Sequence, residues 1–239
     1  MAERLPPYTS TASVAVALLL AAVAGQLDAL VYLNHGRVFA TAMTGNTVLL
    51  GVALLSHDAS NVLHHAAPIL AFVVGAVAAR WLAGAAGVRA HRLALIFEMV
   101  TVAAAGLLPG SFPQTALVAC IAFVSAVQVE SFRRIGPFSY NSTYVTGDLR
   151  GMAEGLAGML MAQPDLASRR RARLQFRDLG LVWVCFLGGA VCGAFIARPL
   201  GNRGFWLALP LLAIALALQL SRASALAAGQ EEAPPTQRA

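Results

Sequence analysis

Apolar residues run through this chain in long blocks, and the polar residues inside those blocks recur at one spacing. Gly25-Gln26-Leu27-Asp28 lies in one block, and Thr44-Gly45-Asn46 begins 18 residues after Gln26. Val127-Gln128-Val129-Glu130 lies in another, and Thr146-Gly147-Asp148 begins 18 residues after Gln128. A single offset of 102 residues lays Gln26 on Gln128, Asp28 on Glu130, Thr41 on Thr143, Thr44 on Thr146, Gly45 on Gly147 and Asn46 on Asp148. Apolar segments match by chance because their alphabet is small. Rare polar residues inside them do not. The pattern predicts an internal duplication whose two polar centres face one another.

The blocks predict eight segments. Segment a runs from about Ala12 to Leu33 and is stopped by Asn34-His35-Gly36. Segment b starts at Thr44 and runs to about Leu55, followed by a polar loop over 56–64. Segment c spans about Ala66 to Ala86, and d about Leu93 to Leu108, closed by Pro109-Gly110. The order repeats as a′ (about Gln114 to Phe132), b′ (Thr146 to Ala162), c′ (about Leu179 to Ala197, stopped by Pro199) and d′ (about Phe205 to Leu220). The later segments match at an offset of 114, with Phe72 on Phe186, Gly75 on Gly189 and Leu93-Ala94-Leu95 on Leu207-Ala208-Leu209. The change marks a 12-residue insertion between b′ and c′, where Arg169, Arg170, Arg171, Arg173 and Arg177 fall. The expected organisation is a polar lead over 1–11, one membrane repeat over 12–110, a second over 111–221 with a basic cytoplasmic loop at 163–178, and a disordered cytoplasmic tail over 222–239.

Composition fits that reading. The 239 residues are 58% hydrophobic and 12% charged, whereas soluble domains carry about 25% charged residues. Several segments approach the roughly 20 apolar residues that cross a bilayer. The class is an all-α integral membrane protein whose environment is the lipid bilayer. All 17 basic residues are arginine, placed between apolar segments, which is a topology signal and not a nucleic-acid surface. Residues 13–25 imitate a secretory apolar region, but the residues before them are barely basic, and an uncleaved first span is expected. Cys120, Cys185 and Cys192 lie in apolar runs as inert thiols. No Cys or His spacing resembles a metal site, and no metal or cofactor is expected.

Segment b sets the topology. From Gly45 to Ser56 is 12 residues, about 18 Å of helix against a hydrocarbon core of about 30 Å. Segment b′ is longer but carries Asp148, Arg150 and Glu154. If all eight segments span in a parallel 4+4 arrangement, the arginines outside b′ divide eight against eight. If b and b′ dip in and return, the halves become an inverted 3+3 and the division is thirteen against three. The positive-inside rule prefers the inverted arrangement, with both termini cytoplasmic.

Met43-Thr44-Gly45-Asn46-Thr47-Val48 with Gly51, paired with Thr143-Tyr144-Val145-Thr146-Gly147, resembles the two signatures of the YoaK-like family of uncharacterised bacterial inner-membrane proteins. The likeness covers about residues 12–221. It implies a multi-pass protein of the bacterial inner (plasma) membrane and supplies no substrate. The family's second signature more often has a neutral residue after Gly147 than the acid Asp148 found here, which speaks against an uncharged pocket.

The candidate chemistry lies in the matched residues. Thr44 and Thr146 are expected to cap helix starts, with Gly45 and Gly147 admitting another group to the backbone. If b and b′ enter from opposite faces, their positive ends meet at one site, the usual construction in inverted-repeat transporters. Asp28 and Glu130 are intramembrane carboxylates and so candidates for proton coupling; the structural alternative is that Glu130 pairs with Arg133 or Arg134. Glu98 has Leu212 as its match and lacks symmetry. Arg150 and Glu154, four apart, suit an ion pair. The expected substrate site comprises Gln26, Asp28, Thr44, Gly45, Asn46, Gln128, Glu130, Thr146, Gly147 and Asp148. The expected function is a secondary transporter or exporter of a small solute or ion, possible as a homo-oligomer. The alternatives are a channel built from paired half-helices and a non-transporting membrane subunit. No G-x-S-x-G, H-E-x-x-H or P-loop pattern is present, so an enzyme is not expected.

Overall fold

Local chemistry sets where each helix begins and ends. The computed structural model describes residues 11–161 and 165–231. The described helices are α1 (Thr11–Asn34), α2 (Met43–Leu55), α3 (Ala59–Ala86), α4 (Ala90–Leu107), α5 (Gln114–Ser131), α6 (Val145–Leu160), α7 (Leu166–Leu200) and α8 (Ala208–Glu231). They correspond in order to the eight predicted segments.

Several boundaries differ, each for a local reason. α3 starts at Ala59 and takes in most of the expected polar loop, because the Asp58 carboxylate accepts from Ser60 N at 2.9 Å and Asn61 N at 3.3 Å. These bonds, with one from the Ser60 hydroxyl, hold the Asp58 carboxyl below the usual range. The insertion before c′ is helix as well. Asp165 accepts from Ser168 N at 2.6 Å and opens α7 at Leu166. α7 is 35 residues long, about 52 Å, and outreaches a bilayer core. Pro199 lies in its last turn without stopping it, and the chain turns at Gly201 with φ +51°. Gly87 turns the chain after α3 with φ +52°, and it lies 114 residues before Gly201. α8 continues to Glu231, well into the stretch expected to be a disordered tail. The rest of that tail, and most of the polar lead, fall outside the described residues. A hairpin that the apolar pattern did not suggest follows α5, with β1 (Arg134–Ile135) antiparallel to β2 (Phe138–Ser139).

Among the described residues, five stretches are long and apolar enough to cross a membrane: Val14–Asn34, Ala59–Ala86, Ala90–Leu107, Gln114–Ser131 and Leu166–Ser221, the last running through α7 and α8. α2 is apolar but short. The packing pairs include α1 with α7 and α3 with α5; α2 with α3 and α6 with α7; α1 with α8 and α4 with α5; and α4 with α8, beside a smaller α3–α4 contact. Exchanging the first four helices for the last four turns each pair but that smaller contact into another of the set, or into itself.

Hydrogen bonds fix directions. Tyr140, after α5, donates to the Ala17 carbonyl near the start of α1 at 3.1 Å. His64 links the His35 carbonyl, after α1, to the Thr115 hydroxyl at the start of α5, at 3.0 and 2.8 Å. α1 and α5 therefore run in opposite directions.

α1 is the buried centre, with 67% of its apolar window inside, against 22% for α3. Its leucines and valines join Leu95 and Val102 of α4, Ile121 of α5 and Leu212 of α8 in the main core. α1 and α7 meet at their backbones. A Cβ on Gly189 would strike the Ala22 carbonyl, one on Gly193 the Gln26 carbonyl, and one on Gly25 the Phe186 carbonyl. Across the other pair, a Cβ on Gly75 would strike the Phe123 carbonyl. These are the small-residue contacts through which membrane helices pack. The outer faces of α2, α3 and α7 present Val52, Leu55, Leu70, Trp81 and Phe195 outward, as a lipid-facing surface does.

Candidate functional site

The first turns of α2 and α6 open onto one cavity of about 830 Å³. Six pairs from the two halves line it: Phe39 and Asn141, Thr41 and Thr143, Ala42 and Tyr144, Met43 and Val145, Thr44 and Thr146, Phe72 and Phe186. The first five are 102 residues apart and the last 114. Gly25, Asp28 and Tyr32 of α1 and Ala190 and Ala194 of α7 complete the wall. The surface is aromatic rings and methyl groups interrupted by hydroxyls, one amide and one carboxylate.

The loop before each short helix is held by a side chain from that helix. Asn46 accepts from Phe39 N and donates to the Phe39 carbonyl, both at 2.8 Å. Asp148 accepts a backbone hydrogen bond from Asn141, the residue matching Phe39. These contacts do the work expected of the threonines. The residues preceding the helices are Ala42 and Tyr144, neither makes a side-chain cap, and Thr44 and Thr146 lie inside the first turn, exposed to the cavity. The glycines admit a ring and not the opposite half-helix. A Cβ on Gly45 would come within 2.8 Å of the Phe39 ring, and one on Gly147 within 2.6 Å of the Tyr144 ring.

Asp28 is 5% exposed and lines the cavity. Its two oxygens accept from Thr41 N and Thr41 Oγ1, each at 2.7 Å, so this carboxylate also pins the loop ahead of α2. Glu130 is placed differently. It pairs with Arg133 at 3.5 Å, at the end of α5, and does not line the cavity. Thr143, the match of Thr41, bonds Asn141 Oδ1 instead. Gln26 is buried and donates to the Gly204 carbonyl at 3.1 Å. Gln128 is buried and accepts from Ser142 at 3.2 Å. Arg150 and Glu154 pair at 3.0 Å on the exposed side of α6.

Of the expected site residues, Asp28, Thr44 and Thr146 reach the cavity directly. Asn46, Asp148, Gly45 and Gly147 support its wall, and Gln26, Gln128 and Glu130 lie elsewhere. The aromatic lining was not anticipated, although Phe72 and Phe186 were already a matched pair at the 114-residue offset.

A family model described as a protein of unknown function (DUF1275) matches residues 16–218. The chain belongs to this family. It is 27% identical over 188 residues to the UPF0700 transmembrane protein YoaK of Bacillus subtilis (strain 168), a match covering 76% of this chain and 82% of that protein. No solved structure matches it. Within the DUF1275 family, then, this member is a helical, multi-pass membrane protein, as its relative's name and its own apolar helices both say.

Proposed function

We propose that this protein is a secondary transporter for a small solute with an apolar body and a polar end, bound in the cavity between α2 and α6. The observation that carries the reading is the matched lining. Residues from two sequence-related halves converge on one space, with both short helices pointing their N-terminal ends at it. Such ends present free N–H groups and positive dipole. The fold proposed for this task is a pair of inverted repeats, each of three spans plus one half-helix. The opposed directions of α1 and α5, the exchangeable packing pairs and the thirteen-to-three division of arginines support it. Discontinuous helices meeting near mid-membrane are how inverted-repeat transporters build their sites. In this arrangement both termini and the arginine-bearing start of α7 lie in the cytoplasm, in the bacterial inner membrane.

The substrate test begins with a thermal-shift screen of metabolites and ions on the purified protein, since a ligand that binds the folded state raises its melting temperature. Thr44→Trp and Thr146→Trp fill the cavity from opposite sides and are each expected to abolish both the shift and uptake into proteoliposomes. Ligand-induced shifts that survive both substitutions would refute the site. Accumulation of the hit against its gradient separates a transporter from a channel.

The topology has its own test. Single cysteines replacing Arg89 and Arg133, in a background without Cys120, Cys185 and Cys192, are expected to react with an impermeant thiol reagent from the cytoplasmic face. Reaction of both from the outer face would restore the parallel arrangement.

A further inference from the structure

Behind the cavity lies a buried polar cluster, drawn from both halves, whose matched positions are apolar. Gln128 bonds Ser142, Ser142 lies within hydrogen-bonding reach of Tyr140, and Tyr140 lies within electrostatic reach of Glu98 and Asp148. The matched positions are Val38 for Tyr140 and Ala40 for Ser142 in the first half and Leu212 for Glu98 in the second, all fully buried. Gln26, the match of Gln128, bonds a backbone carbonyl instead.

Glu98 faces α5. His91 meets Phe132 at 5.1 Å and Phe97 meets Phe123 at 6.0 Å between ring centroids, which fixes the register of the antiparallel α4–α5 pair. Those pairs place Glu98 opposite residues 122–125 of α5, with Ser125 within one turn; helix side chains lean toward their own N-termini, so Glu98 and Gln128 lean toward one another across the pair. Glu98, Ser125 and Gln128 are each 2% exposed. Glu98 Oε2, Ser125 Oγ and Gln128 Nε2 are all buried without a hydrogen-bond partner. Three unpaired polar atoms on neighbouring helices are costly to bury.

We propose that Glu98, with Ser125 and Gln128, is a proton-binding site whose occupancy controls the cavity wall. The proposal rests on the transport reading and names its coupling residue. A proton taken from water neutralises Glu98, and a carboxylate without a counter-charge is expensive to hold inside a membrane. When the proton leaves, the carboxylate draws the two free donors, the Ser125 hydroxyl and the Gln128 amide. Gln128 is the residue that holds Ser142, and Ser142 sits between Asn141 and Thr143, both in the cavity wall. Loss of the proton therefore pulls on that wall. By linkage, a solute that favours one position of the wall shifts proton binding equally.

The groups facing Glu98 are few. α5 offers Ser125 and Gln128, and the loop after it Tyr140, which Asp148 of α6 also approaches. α8 and α1 contribute Leu212, Ala208 and Leu27 to the core that holds Leu95 and Val102 of the same helix. His91, on the same helix, packs on Phe132.

The test needs no substrate. Infrared difference spectra of the full chain in nanodiscs, recorded between about pH 5 and pH 9, are expected to show a buried carboxylic-acid C=O band that titrates. The band should vanish in Glu98→Gln and persist in Glu130→Gln and Asp28→Asn. Thr143→Cys, in the cysteine-free background, should change its alkylation rate with pH several-fold beyond what Glu98→Gln allows in the same background. Glu98→Leu, carrying the side chain found at matched position 212, guards against misfolding of the glutamine variant and should lose the same band. A titrating band that survives Glu98→Gln and Glu98→Leu, or alkylation with the same pH profile in both backgrounds, would overturn the proposal. Neither result bears on flux. Failure to find a transported solute leaves the proton site standing, and loss of the proton site leaves transport standing.

Discussion

Leucine at Gly189 is expected to destroy the folded protein, while leucine at the adjacent Gly188 is expected to leave it intact. The two glycines share a helix and a sequence context, so propensity cannot separate them. A Cβ on Gly189 would lie against the Ala22 carbonyl and its backbone carbon, whereas one on Gly188 meets nothing within 4 Å. A flexible side chain yields to an intruder, but a helix backbone does not. Overpacking in a well-packed interior costs about 1–3 kcal/mol and sometimes more, and a collision with main chain at the centre of the α1–α7 contact belongs at the upper end. Monodispersity and melting temperature in detergent read the outcome. Equal loss in both variants would place the cause in helix propensity and remove the backbone contact from the argument.

The second large effect is expected at Asp28. Asp28→Leu strands two donors, Thr41 N and Thr41 Oγ1, that now share the carboxylate. A buried donor left unpaired costs about 1–3 kcal/mol, so the loop ahead of α2 should loosen and the melting temperature should fall. Asp28→Asn behaves differently. Its amide oxygen still accepts from Thr41 N, and the Thr41 hydroxyl can rotate to accept from the amide nitrogen. The asparagine variant should stay close to the parent in stability. Matching behaviour of Asn and Leu would show that the charge, and not the hydrogen-bond geometry, holds this loop.

That distinction marks what could be read from residues alone. Apolar blocks gave the number and order of the helices, because a span needs little beyond length and hydropathy. The 102-residue offset brought Thr44 and Thr146 to one cavity before any geometry was known. Where side chains reach further, the pattern left alternatives open, such as the pairing of Glu130 with Arg133. Asp28 and Glu130 match in sequence, yet one faces Thr41 and the other faces Arg133, a difference set by the loop each helix meets. Glu98 had no matching acid and so ranked low, although the broken match is what singles it out. The capping role given to Thr44 and Thr146 failed because Asn46 and Asp148 reach back over the turn, and an amide or carboxylate at the fourth residue of a helix resembles no familiar start signal. α7 began earlier than its apolar run because arginines on an exposed helical extension carry no hydropathy.

The burial of α1 has a consequence for how the chain is made. α1 is synthesised well before the groups that satisfy it. The Asn34 amide bonds the Ala197 carbonyl at 2.7 Å and Gln26 bonds the Gly204 carbonyl at 3.1 Å. At about 5–20 residues per second, the ribosome needs on the order of ten to thirty seconds to deliver those partners. For that time α1 stands in or beside the bilayer with its amides unpaired and its glycine face bare. The newborn helix must be sheltered until α7 arrives to pack on it. The last third of the chain is thus a closing element for the first, and ribosomes that stop before α7 leave a product with no stable place in the membrane.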